Sequence, residues 1–228
     1  VSSNLDEFFM VRVPGLWAQD TAGLKNPEAV DGLPPAQTLR SITERTHTLV
    51  DSLYACFRDE IQPGLATAGI RILKMDEVKG AEATAMEKTF HQEVLPVITP
   101  MAIDPAHPFP HIQNRALNIA VALRSKGKSG KIRNPGRCLA VVPVPGMLPR
   151  LIPVSSGEGQ DRFVLLEDLI GSQLAELFSG FDIVEQTRFR ITRDADLNLD
   201  EEEASNLMKL IEAEIQRRKR GADFRNRI

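Results

Sequence analysis

Five prolines, Pro96, Pro100, Pro105, Pro108 and Pro110, fall within residues 96–110. Each fixes φ and withholds a backbone N–H, so neither a helix interior nor a central strand runs through such a segment. It reads as a rigid, packed connector. The segment also holds Asp104, His107 and His111, a combination that invites a metal site. Two histidines four apart share a face only on a helix, which Pro108 and Pro110 oppose, so the connector reading is preferred to a metal site.

Upstream of the prolines, apolar residues recur at helical spacing. Ser2-Ser3-Asn4-Leu5-Asp6-Glu7-Phe8-Phe9-Met10-Val11-Arg12 opens as a helix, with Ser3 as cap and Asp6 at the spacing of a capping box. Asp6 and Glu7 place negative charge in the first turn, where the helix dipole favours it. Leu5, Phe8, Phe9, Val13 and Leu16 supply the apolar stripe. Asn4 stands at the mouth of this helix, an amide with two donors and an acceptor oxygen, and spacing alone makes it a cap or turn residue. Gly23, Pro27, Gly32 and Pro34-Pro35 mark a loop, and Pro35 suits the first position of the next helix. That helix carries Leu39, Ile42, Leu49, Val50, Leu53, Tyr54, Phe57 and Ile61, extends on the order of 40 Å, and is expected to end at Pro63-Gly64. Neither helix is stable alone in water. They are expected to pack together in a helical N-terminal domain, residues 1–70, whose first helix lies upstream of Val1.

From Ile70-Arg71-Ile72-Leu73 onward strands mix with helices, and residues 71–228 are predicted to form an α+β domain. Its sheet is expected to be mostly antiparallel and covered on one side by helices. A helix over 81–94 has Ala85, Met86, Phe90 and Val94 on one side and stops at Pro96. Residues 116–123 and 138–144 read as a strand pair, and 151–154 and 162–166 as strands about a turn at 155–159. Residues 166–178 have helical spacing closed by Gly180, and 187–192 alternate as a half-buried strand. The last helix is capped by Asp200 with Glu203 three residues on. Ala204, Leu207, Met208, Ile211 and Ile215 form its stripe, and Arg217-Arg218-Lys219-Arg220 with Gly221 finish it. Acid at the start and base at the end suit the helix dipole, which accounts for the basic cluster without a ligand.

The chain has 228 residues, enough for one large or two small domains, and a net charge of −3. Near-neutrality gives no overall field toward nucleic acid or anionic membrane. Cys56 and Cys138 have no CxxC or histidine-rich context, which suits a reducing cytoplasm. No run reaches the ~18 apolar residues of a membrane span. The start at Val1, inside a motif, reads as a piece of a larger protein. Arg124, Lys126, Lys128, Lys131, Arg133 and Arg137 make a basic hairpin tip with no acid. Gly127-Lys128-Ser129 looks like the end of a P-loop, but Ala122 stands where glycine is needed and no helix follows, so a P-loop is rejected. A solvated loop is preferred to a polyanion contact. No Ser/His/Asp arrangement and no metal cluster is visible.

Three blocks resemble one family in order. The Ser3-to-Arg12 stretch is similar to a signature near the N-terminus of the long bacterial polyphosphate kinases. Leu95-Pro96-Val97-Ile98-Thr99-Pro100-Met101-Ala102-Ile103-Asp104-Pro105-Ala106-His107-Pro108-Phe109-Pro110 and Thr192-Arg193-Asp194-Ala195-Asp196 resemble later parts of the same family. The resemblance implies an enzyme that reversibly transfers the γ-phosphate of ATP to inorganic polyphosphate through a phosphohistidine. It implies that Asn4 contacts ATP and leaves Ser3 free to cap. The catalytic histidine, the arginines and the magnesium ligands would belong to C-terminal catalytic domains, since His47, His91, His107 and His111 stand in other contexts. This chain would supply a wall of the nucleotide pocket and a dimerisation scaffold for a homo-oligomer. The implied setting is bacterial and cytoplasmic, with room for peripheral membrane association and with no specific nucleic-acid partner. Residues 222–228 depart from the strand rich in Val, Leu and Arg that the family usually has there. Two other readings stand beside this one: a non-catalytic helical interaction module, and a weak polyanion binder acting through residues 124–137 and 217–227.

Overall fold

The computed structural model describes residues 2–24, 32–103, 112–126, 138–157, 160–193 and 206–213. They fall into two compact units, one formed by residues 1–63 with 192–198 and the other by 64–191 with 199–228.

The first unit is helical. Helix α1 spans Ser2–Thr21 and helix α2 spans Pro35–Cys56, and the two pack against each other. Helix α1 begins at Ser2, so Ser3 and Asn4 lie within its first turn rather than at a cap, and Asp6 and Glu7 come after that turn. The expected capping role of Ser3 is corrected accordingly. Pro14 sits inside α1 and removes one helix hydrogen bond. The inward face also differs from the expected stripe: Phe8 is exposed, whereas Asp6 is buried. Pro35 does occupy the first position of α2.

Pro63-Gly64 does not end the second helix. A π-helical turn, Phe57–Ile61, follows α2 and leads into helix α3, Gln62–Thr67, which contains both residues. Gln62 N–H bonds the carbonyl of Phe57, five residues back. A widened turn just before a proline makes room for a ring that a regular helix would meet as a clash. The stop comes at Gly69, whose φ of 83° is open to glycine at little cost.

The second unit is built on two sheets. Strands β1 (Ile70–Leu73), β5 (Leu151–Gly157) and β6 (Gln160–Leu165) form a three-stranded sheet in the order β1-β6-β5. Strands β2 (Met101–Ile103), β3 (Leu117–Ser125), β4 (Cys138–Pro143) and β7 (Phe181–Arg190) form a four-stranded sheet in the order β2-β4-β3-β7. Among the described residues all strand pairings are antiparallel except β1 with β6. The α+β class with a mostly antiparallel sheet is therefore as expected.

The larger sheet buries both faces, which corrects the expectation of helices on one side only. Ile119, Val121 and Leu123 of β3 and Ala140 and Val142 of β4 join one apolar cluster with Phe90. Ala120 and Ala122 of β3 and Leu139 and Val141 of β4 join another. Alternate residues point to opposite faces, so an unbroken apolar run such as Ile119-Ala120-Val121-Ala122-Leu123 requires cover on both. On the first face lie helix α4 (Ala81–Thr89) and the π turn Phe90–Val94, through Met86, Phe90 and Val94. Helices α5 (Leu166–Ser172) and α6 (Leu174–Leu177) join them there through Leu169, Ile170 and Leu174. The second face receives Ile211, with Leu207 and Met208 beside it, from the helical stretch 206–213, here α7.

Four boundaries move for identifiable reasons. The expected 81–94 helix changes to a π turn at Phe90 and passes Pro96 inside a 3-10 turn, Leu95–Val97. The proline connector holds β2 as well, on the sheet edge, where a strand flanked by prolines is tolerated. The 166–178 helix is two pieces, since Gln173 at φ −104° and ψ 9° leaves helical geometry between α5 and α6. Strand β7 starts six residues before Thr187, at Phe181, with a bulge where the register shifts against Ala122 and Leu123. Asp104, His107, His111, Asp200, Glu203, Ile215 and the basic residues 217–220 lie outside the described residues.

Candidate functional site

Asn4 is exposed on the first turn of α1. Its side chain can offer two N–H donors and accept at its carbonyl oxygen. The neighbouring Phe8 and Phe9 rings meet edge to face, with centroids 5.9 Å apart. Asp6 is only 8% exposed, the single buried charged residue among the described residues of this unit. The motif thus turns an amide outward and a carboxylate inward within three residues.

Of the basic hairpin tip, Arg124 and Lys126 are described. Arg124 Nη2 lies 3.3 Å and Lys126 Nζ 4.0 Å from carboxylate oxygens of Asp182 on β7. The base of the hairpin is therefore matched by an acid 58 residues away, which favours the solvated-loop reading for these two side chains. The remaining basic residues of 124–137, and all of 217–227, lie outside the described residues.

The histidines divide in the same way. His47 is exposed on α2. His91, in the π turn, has Nδ1 2.7 Å from the Glu87 carbonyl oxygen and Nε2 2.9 Å from Glu176 Oε1. Both partners are acceptors, an arrangement that favours the protonated ring, in which both nitrogens donate. The Glu87 carbonyl and then the Glu176 carboxylate raise its pKa above the ordinary histidine value.

Three carboxylate–guanidinium pairs escaped the linear reading because their partners lie 17 to 80 residues apart. Glu167, with its side chain 2% exposed, accepts from Arg150 Nε at 3.0 Å and Nη2 at 2.5 Å. Arg162 Nη1 donates to Glu82 Oε1 at 2.5 Å. Arg188 of β7 donates to Asp168 of α5. Burial pushes the Asp168 carboxyl upward against the opposing pull of Arg188. These pairs join α4, α5, β6 and β7, and their chemistry is that of a scaffold. Among the described residues no three His, Cys, Asp or Glu side chains converge to hold a metal ion. No helix among them is long and apolar enough to cross a membrane.

The architecture matches part of a solved bacterial kinase. The crystal structure of polyphosphate kinase from Porphyromonas gingivalis superposes with a TM-score of 0.71 at 28% identity, over 87% of this chain and 28% of that one. Residues 1–73 match the polyphosphate kinase N-terminal domain and residues 81–227 the polyphosphate kinase middle domain. The chain belongs to the polyphosphate kinase family. It is 42% identical over 224 residues to polyphosphate kinase of Halalkalibacterium halodurans, covering 98% of this chain and 31% of that protein. It is 39% identical over 227 residues to the Streptomyces coelicolor polyphosphate kinase, covering 98% and 29%. The chain thus spans about a third of the length of these relatives.

Proposed function

We propose that this chain is the nucleotide-flanking and dimerisation portion of a cytoplasmic polyphosphate kinase. The whole enzyme would reversibly transfer the γ-phosphate of ATP to inorganic polyphosphate through a phosphohistidine on C-terminal catalytic domains. The observation that carries the reading is the ordered match to the N-terminal and middle domains of one kinase family. In this reading residues 1–70 form one domain and 71–228 the next, and the second contributes to a homo-oligomer. Asn4 would line the nucleotide pocket, where an exposed amide offers donors to phosphate or sugar oxygens.

In the transfer, a ring nitrogen of the catalytic histidine attacks the γ-phosphorus and the bond to ADP breaks. A terminal oxygen of the polyphosphate chain then displaces the histidine, so one difficult transfer becomes two easier ones. A nucleophilic histidine needs a free ring lone pair. His91 has each ring nitrogen directed at an acceptor within the scaffold, an arrangement unsuited to that role. Magnesium would assist the parent enzyme. Among the described residues no three His, Cys, Asp or Glu side chains are grouped to hold it.

The test is the isolated 228-residue chain incubated with ATP, magnesium and polyphosphate. The reading expects no elongation of polyphosphate and no ADP release. Sustained synthesis by the pure chain would contradict it.

A further inference from the structure

We propose that Asp6 is a positioning residue for Asn4: it fixes the rotation of α1 about its own axis, and with it the direction in which the Asn4 amide is presented. The inference rests on the reading of Asn4 as a nucleotide contact. Asp6, Phe9, Met10 and Val13 fall at i, i+3, i+4 and i+7, and none of the four is exposed. Asp6 therefore heads the inward face of the helix, in a place where an apolar residue would complete the stripe. At 3.6 residues per turn Asn4 lies about 200° round from Asp6, and it is exposed.

A carboxylate leaves water at considerable cost unless it is hydrogen-bonded or paired. Asp6 does have a hydrogen-bonding or electrostatic partner of its own. Apolar contacts carry no direction, so Phe9, Met10 and Val13 alone tolerate small rotations of the helix. A buried carboxylate bond is directional, and the best-attested use of such groups is to set register. Its position matters too, because Asp6 follows directly on the first turn, which carries Asn4 and is where a helix frays. A pocket group displaced by about 1 Å loses on the order of a hundredfold in effect.

The experiment uses the full-length kinase and compares Asn4→Ala, Asp6→Leu, Asp6→Asn and the double variant Asn4→Ala/Asp6→Leu. Polyphosphate formation is followed as a function of ATP, and fold by circular dichroism and Tm. Asp6→Leu fills the stripe with an apolar side chain but leaves the partner of Asp6 uncompensated, so Tm falls while the circular dichroism signal of the fold is retained. The KM for ATP nevertheless rises about tenfold while kcat moves by less than about threefold, the pattern of lost binding rather than lost chemistry. Asp6→Asn, which keeps an acceptor oxygen, gives an intermediate KM. In the Asn4→Ala background Asp6→Leu adds nothing further, because the group it positions is already gone.

Parental KM values in both Asp6 variants, beside a raised KM in Asn4→Ala, overturn the inference and leave the reading of Asn4 intact. A rise in KM that persists in full in the double variant also overturns it, since Asp6 then acts through something other than Asn4. An unchanged KM in Asn4→Ala removes the reading of Asn4 and this inference with it. Should Asp6→Leu fail to fold, Asp6→Asn decides by the same comparison.

Discussion

His91 Nε2 stands 2.9 Å from Glu176 Oε1 while Nδ1 stands 2.7 Å from the carbonyl oxygen of Glu87. One imidazole ring thereby links α4 to α6, and the Glu87 carbonyl followed by the Glu176 carboxylate raises its pKa above the ordinary value. A histidine whose folded pKa exceeds its unfolded one stabilises fully below the unfolded pKa, and the contribution is lost as pH rises through the folded pKa. A ¹H–¹⁵N titration of the His91 ring is expected to show this upward shift. The Glu87 carbonyl is the larger cause, so Glu176→Gln lowers the pKa without returning it to the ordinary value. A full return in that variant would contradict the assignment.

Arg188 and Asp168 tie β7 to α5. Both are partly shielded, with side chains 33% and 18% exposed. Removing the cation leaves a half-buried carboxylate without its counter-charge. Arg188→Met is expected to destabilise the second unit by about 1–3 kcal/mol, less than for a fully buried pair because solvent still screens it. Urea unfolding measures this directly. The raised Asp168 pKa has its own sign: the folded state holds the proton more tightly, so this group's contribution falls as pH rises from the ordinary carboxylate range through the folded value. Asp168→Asn should flatten the pH dependence of stability in that window.

Gly69 terminates α3 at a φ of 83°. A side chain in that left-handed region costs roughly 1–2 kcal/mol. Gly69→Ala is therefore expected to lower stability by about 1 kcal/mol, and Gly69→Asn by less, since asparagine tolerates the conformation better. Equal stabilities for the glycine and alanine proteins would show that the helix stops elsewhere.

The sequence made the elements legible where a single physical signal dominated. The β3–β4 pair and the apolar positions Leu207, Met208 and Ile211 of α7 follow from periodicity, because burial imposes period 3.6 or 2 on whatever it covers. The 39–61 stripe holds only in part: Val50 is buried, but Leu53, Tyr54, Phe57 and Ile61 are exposed. The strand register followed no such rule: the β7 bulge and the parallel β1–β6 pairing are decided by tertiary contacts. Pro63 and Pro96 misled for a related reason. Proline forbids a regular helical bond, but π and 3-10 turns avoid that bond, and their use depends on packing beyond the local stretch. At the candidate site, Asn4 was identifiable only through resemblance, since an exposed amide on a helix has no periodic signature. The burial of Asp6 was illegible altogether. Its capping-box spacing reads as a first-turn charge serving the helix dipole, whereas the fold buries it.

Steady-state kinetics of Asn4→Ala in the full-length enzyme test most directly the proposed contact between the exposed Asn4 amide and the nucleotide of a polyphosphate kinase. Loss of one or two hydrogen bonds to a charged ligand, about 1.5–3 kcal/mol, corresponds to a rise of roughly ten- to a hundredfold in the KM for ATP, with circular dichroism unchanged. An Asn4→Ala enzyme with the parental KM for ATP would contradict the account.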